Sequence, residues 1–259
     1  MNSRAVTAAP VVVALVAFVA MPFAAVYGGA QPALGQAELS SAGIYQDGTQ
    51  PLQQGEVDTF VENTTGSQVT VFRMHDGFHT GSATERFARP ALSLIKLYIA
   101  EYVLEHGELK DRADALEMIR SSDDKIAEKL FEKYPESIDT TAKEYGLIST
   151  KSRDTWGYSV TSTYDVVSFV SQKLRRNRND PILRAMKESD AVAADGYKQN
   201  FGTAILPGVI GTKWGWSNDL TLHSSVSYGD DFVVAVAISG TAEDLTDLVE
   251  LQVAGLMEE

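Results

Sequence analysis

The chain has 259 residues, 44 % hydrophobic and 22 % charged, enough for one large globular domain or two intimate subdomains. Its formal net charge of −13 argues against nucleic-acid binding and against adhesion to anionic membranes, both of which want a basic surface. With no cysteine, disulfides, thiol catalysis, cysteine metal sites and a lipid-modified cysteine are all excluded.

Residues 1–30 join Arg4 to a long apolar run and a small-residue end at Gly28, Gly29 and Ala30. That is the pattern of a secretory signal, with an uncleaved membrane anchor as the alternative. Either places the folded part outside the cytoplasm. Residues 31–50, rich in Gln, Ser, Gly and Ala, read as a flexible lead-in. A domain over 51–259 follows, and residues 51–63 suit a helix.

Residues 68–74 alternate in strand fashion and end in an Asp76-Gly77 hairpin turn. An apolar helix is predicted over about 93–105, stopped by Gly107. Residues 111–190 read as mainly helical, with helices over about 113–120, 124–134 and 163–174. The six basic residues in 173–187 read as a solvated helix end and loop. Residues 209–216, 220–228 and 232–239 read as three strands joined by turns at Asn218-Asp219 and Gly229-Asp230. Thr241 and Asp244 form a capping-box pattern for a last helix with Leu245, Leu248, Val249, Gln252 and Leu256 inward. The fold class is therefore α/β of the α+β type. One antiparallel sheet (51–92 and 200–259) is flanked by terminal helices, with an inserted helical part (93–199). The cleft is expected where the two parts meet.

Chemistry concentrates in the apolar helix. Lys96 is the single charge among residues 91–100, and Ser93 lies three residues before it, on the same helical face. A desolvated lysine loses proton affinity and can take the proton of a neighbouring hydroxyl. Ser and Lys at this spacing also arise by chance about once in a chain this long. Ser122 and Lys125 are such a pair, with Lys125 on a polar stripe beside Lys129 and Glu132. The four histidines show no paired ligand spacing on a helix, and no metal or cofactor is called for.

Three pieces fall in order: Ser93-Leu-Ile-Lys96, Ser122-Asp-Asp124 and Lys213-Trp-Gly215. Together they resemble the S-x-x-K, S-D-N and K-T-G set of class A β-lactamases and penicillin-binding proteins. Glu85-Arg-Phe-Ala88 leads into the helix as it does in class A β-lactamases. The resemblance spans roughly residues 51–257. It implies Ser93 as nucleophile, Lys96 as base or proton relay, and Ser122 as proton donor to the leaving nitrogen. It also implies a substrate-binding set of Asp124, Lys213, Trp214, Gly215 and Trp216. In that set Lys213 faces a substrate carboxylate, and an oxyanion sits between the backbone N–H groups of Ser93 and Trp216.

Three departures stand beside it. Asp124 replaces an asparagine and Trp214 a hydroxyl residue. The loop 144–158 lacks the E-x-x-L-N glutamate that activates the deacylating water. The resemblance thus implies an acyl-enzyme with a cell-wall peptide amide or a β-lactam, slow to deacylate. Its rival is a non-catalytic envelope protein that keeps the fold and binds peptidoglycan or a protein partner. Oligomeric state stays open.

Overall fold

The computed structural model describes residues 66–257. The signal or anchor segment 1–30, the lead-in 31–50 and the helix expected over 51–63 lie outside the described residues. Described elements begin with β1 (Ser67–Arg73), β2 (His79–Gly81) and β3 (Arg89–Pro90). A 3-10 turn, Leu92–Ile95, leads into α1 (Lys96–His106), then α2 (Arg112–Ser121), α3 (Asp124–Lys133) and α4 (Ser137–Tyr145). β4 (Val160–Thr161), α5 (Thr163–Arg176) and α6 (Pro181–Lys187) follow. The chain then runs through β5 (Val209–Trp216), β6 (Leu222–Gly229), β7 (Phe232–Ser239) and α7 (Ala242–Gln252). Among the described residues no helix is long and apolar enough to cross a membrane.

Five strands form one antiparallel sheet in the order β2-β1-β7-β6-β5. The interior strand β7 is apolar on both faces because both faces are covered. Val233 and Ala235 join the core under the helices, and Val234 and Val236 join the core under α7. α5 packs on β1 and β7, so helices and sheet share the first core. α1 is buried around most of its girth, with α2 and α4 packed against it, which explains a helix apolar on every side. Strands β3 and β4 form a two-residue ribbon that ties the approach to α1 to the start of α5.

Several details differ from the sequence-based expectation. The helix begins at Lys96, and Ser93 sits on the preceding 3-10 turn. The second tail strand, β6, starts at Leu222 rather than Leu220, because Leu220 turns with φ +58°. At the end of α7 the capping residue Val253, rather than Gln252, faces inward, since Val253 continues the Leu245 and Val249 stripe. The largest correction concerns residues 173–187. Lys173 is buried between Glu101 (2.6 Å) and Asp180 (2.7 Å), and α6 is a true helix, capped by Asp180 with Pro181 at its first position. Arg175 and Arg176 lie over the rings of Phe72 and Tyr145. Lys125 is exposed, as its polar stripe implies.

Candidate active site

Ser93 lies at the mouth of α1, on a turn whose preceding residue, Leu92, takes φ +53°. A left-handed leucine costs about 1–2 kcal/mol, so the surrounding packing fixes this turn. Ser93 is 7 % exposed, lines a cavity of about 380 Å³, and its hydroxyl makes no hydrogen bond among the described residues. Edge strand β5 closes on it from one side. A Cβ on Gly215 would lie 2.9 Å from the Ser93 nitrogen and 2.8 Å from the Leu92 Cβ, so only glycine admits this approach.

Ser122 ends α2 in a left-handed conformation, φ +55°, before Asp123 caps α3. That kink turns both its carbonyl and its hydroxyl toward two lysines. Lys96 Nζ donates to the Ser122 carbonyl at 2.6 Å and to Asp124 Oδ1 at 2.6 Å, and lies 3.5 Å from Ser122 Oγ. Lys213 Nζ donates to Ser122 Oγ at 2.7 Å and to the Trp214 carbonyl at 3.1 Å. Both lysines are 0 % exposed. Burial pushes Lys96 below the ordinary lysine value, and the Asp124 carboxylate opposes that fall. Burial, helped by the neighbouring Lys96 charge, pushes Lys213 well below it.

The structure thus gathers Lys96, Ser122, Asp124 and Lys213 into one hydrogen-bonded group and sets Ser93, Asp124 and Trp216 on the cavity wall. Lys96 is turned to Ser122 and Asp124 and makes no hydrogen bond to Ser93. Trp214 departs from its expected place. Alternation along β5 puts Lys213 and Gly215 on the cleft face and sends Trp214 to the opposite one. There it is buried in the core under α7, with its indole N–H on the Phe201 carbonyl at 2.9 Å. Trp214 therefore adds no bulk to the cleft. Lys213, fully buried behind Ser122, does not line the cavity either.

Two groups of cavity residues lie outside the motifs read from the sequence. The first is Trp156 and Tyr158, at the tip of the loop between α4 and α5. Its base is closed by the Lys151–Val160 bridge and by Asp165, which accepts from the Ser149 nitrogen and the Thr150 hydroxyl, both at 2.8 Å. The Trp156 ring centre stands 4.8 Å from Lys96 Nζ. The second is Asp195, whose oxygens accept from the Trp216 indole N–H and the Tyr197 backbone N–H, both at 2.9 Å. Tyr197 stacks on Trp216 at 4.8 Å and bonds His223, which in turn bonds the Gly240 carbonyl. A tryptophan-glycine-tyrosine run in a polar loop was the available cue for the first group; nothing local marks Asp195. Among the described residues no group of three or more His, Asp or Glu could hold a metal ion.

No protein-family model matches the chain, and no curated protein matches it in sequence. Solved structures do match in shape. An ancestral class A β-lactamase superposes with a TM-score of 0.61 at 13 % identity, over 75 % of this chain and 95 % of that one. A D-alanyl-D-alanine carboxypeptidase from Mycobacterium tuberculosis gives 0.55 at 18 % identity, over 77 % and 92 %. Penicillin-binding protein D2 from Listeria monocytogenes, in its cefotaxime-bound form, gives 0.55 at 17 % identity, over 76 % and 97 %. The antiparallel sheet, the helices upon it and the order of its elements are the fold of the class A β-lactamases and penicillin-binding proteins.

Proposed function

We propose that the chain is a divergent, exported member of the penicillin-recognising serine hydrolases. Its Ser93 forms an acyl-enzyme with a cell-wall peptide amide or a β-lactam. The observation that carries this reading is a buried serine without a hydrogen-bond partner on a cavity wall, backed by two buried lysines that meet at a second serine. Ser93 Oγ attacks the carbonyl carbon while its proton passes to a neutral Lys96. The proton moves on through Ser122 Oγ to the leaving nitrogen as the C–N bond breaks, and Ser122 regains a proton from Lys96. The oxyanion is held by the backbone N–H groups of Ser93 and Trp216, an arrangement the tight approach of β5 favours. The apolar, positively started segment 1–30 supports export.

Deacylation is slow on this reading. The cavity's carboxylates are Asp124, bonded to Lys96, and Asp195, bonded to Trp216, and the loop 144–158 offers Trp156 in place of a glutamate. A missing general base costs about 10²- to 10⁴-fold in rate. Exposure to an uncharged activated ester and to a fluorescent penicillin should give a persistent mass increase on Ser93, absent in Ser93→Ala. No adduct with either, or an adduct in Ser93→Ala, would overturn the reading; rapid multiple turnover would overturn slow deacylation.

A second reading, a binding protein without turnover, is favoured by one observation. Lys96 spends its hydrogen bonds on Ser122 and Asp124, leaving none to Ser93.

A further inference from the structure

The charge of the cleft differs from what its resemblance implies. Among the described residues its charged lining consists of two carboxylates, Asp124 and Asp195, with no lysine, arginine or histidine. The two lysines behind it are 0 % exposed, and the Nζ of Lys213 is bonded within the wall. A ligand carboxylate entering here would meet no exposed cation, one carboxylate already paired with Lys96, and one, Asp195, held only by the neutral N–H groups of Trp216 and Tyr197, on a chain that is already strongly acidic. A cation would meet the reverse. Asp124 has 58 % of its side chain exposed. Asp195 is exposed and held in place by Trp216 and Tyr197, and each carboxylate oxygen can accept a further hydrogen bond. The same cavity is lined by Trp156, Tyr158 and Trp216, and aromatic ring faces attract cations. The buried hydroxyl of Ser93, without a partner of its own, lies on the same wall.

We propose that this cleft takes an amide or ester whose bound part carries an ammonium or guanidinium group, and disfavours one that carries a carboxylate. The cation sits between Asp195 and the aromatic wall, with its carbonyl carbon at Ser93. In the chemical step the Ser93 Oγ–acyl bond forms, the bond to the leaving nitrogen or oxygen breaks, and the leaving group takes the serine's proton. This substrate class rests on the acyl-transfer reading above, and a binding measurement separates the two.

The nitrophenyl esters of 6-aminohexanoate and hexanoate and the mono-nitrophenyl ester of adipate, its second carboxylate free, form a matched cationic, neutral and anionic series. Intact mass spectrometry follows acylation of Ser93 by each. The cationic ester should react at least tenfold faster than the anionic one, with the neutral ester between. The ratio should shrink in 1 M salt, where the Debye length is about 3 Å, and in Asp195→Asn. In parallel, the Ser93→Ala protein is titrated with 6-aminohexanamide and with adipamate, reading the Trp216 indole N–H resonance. The cationic amide should shift it at lower concentration than the anion. If the cation binds preferentially but no ester acylates the wild type, the charge preference stands and the acyl-transfer reading fails. Equal or tighter binding of the anion, or equal or faster acylation by the anionic ester, overturns the proposal.

Discussion

At the scale of single residues the candidate chemistry turns on Lys96. Burial drives its proton affinity down, and the Asp124 carboxylate, at 2.6 Å, holds it up. Burial is the larger effect, so the lysine sits below its ordinary range although Asp124 restrains the fall. In Asp124→Asn an amide oxygen can still accept the hydrogen bond, but the opposing charge is gone. A further drop of one pKa unit, about 1.4 kcal/mol, raises the neutral fraction about tenfold wherever the ammonium predominates. Acylation of Ser93 by a neutral ester should then rise by about that factor, most visibly below pH 8. A rate profile unchanged or lower over pH 6 to 9 would show that Asp124 is not the restraint.

At the scale of elements, α1, α5 and α6 are tied by one buried cation. Lys173 of α5 reaches Glu101 on α1 and Asp180, the cap of α6, and Glu101 also accepts the Tyr145 hydroxyl from α4. Four helices, of which α1 follows the nucleophile turn directly, are thus fixed in relative position. Removing one partner of a buried ion group leaves the others unpaired, at a cost of about 3–5 kcal/mol. Lys173→Met, which keeps most of the apolar stem, should lower the thermal midpoint by roughly 10 °C on the scale of about 2–4 °C per kcal/mol for a domain of this size. A midpoint within 2 °C of the wild type would mean that the carboxylates find another cation. By contrast, the exposed pair Lys129–Asp114 should contribute almost nothing.

At the scale of the whole molecule the stability should depend on Asp165. Burial pushes its carboxyl up from the ordinary value near 4 to about 7, against the hydrogen bonds from Ser149 and Thr150. In the unfolded chain the same group loses its proton near pH 4. Between these values the folded state binds more protons, so the contribution is fully present below pH 4 and is lost as pH rises through about 7. The size is a few kcal/mol, since each unit is worth about 1.4 kcal/mol. The free energy of unfolding should therefore fall from pH 5 to pH 8 more steeply in the wild type than in Asp165→Asn. Chemical denaturation across that range measures the two slopes, and parallel profiles would show that Asp165 stays ionised in the fold.

The sequence by itself determined what is local. Period-2 alternation gave the strand around Val71, apolar runs between turn signals gave those around Trp214 and Val234, and the Thr241–Asp244 box gave the start of α7. Motif order gave Ser93, Lys96, Ser122 and Lys213, and three of these four meet by hydrogen bonds at Ser122. Only the tertiary structure decided the phase of β5. Alternation says that Lys213 and Trp214 face opposite ways but not which faces the cleft; pairing of Trp214 with Ser225 and the apolar core under α7 settle it. Charge alone likewise gave no sign that Lys173 is buried, because burial comes from α1 and α6, distant in sequence. The left-handed turns at Leu92 and Ser122 carry ordinary side chains, so no residue type announces them. Asp195 and Trp156 reach the cleft from separate loops, and their joint field with Asp124 exists only once the chain has folded, since charges interact through distance in space and not along the sequence.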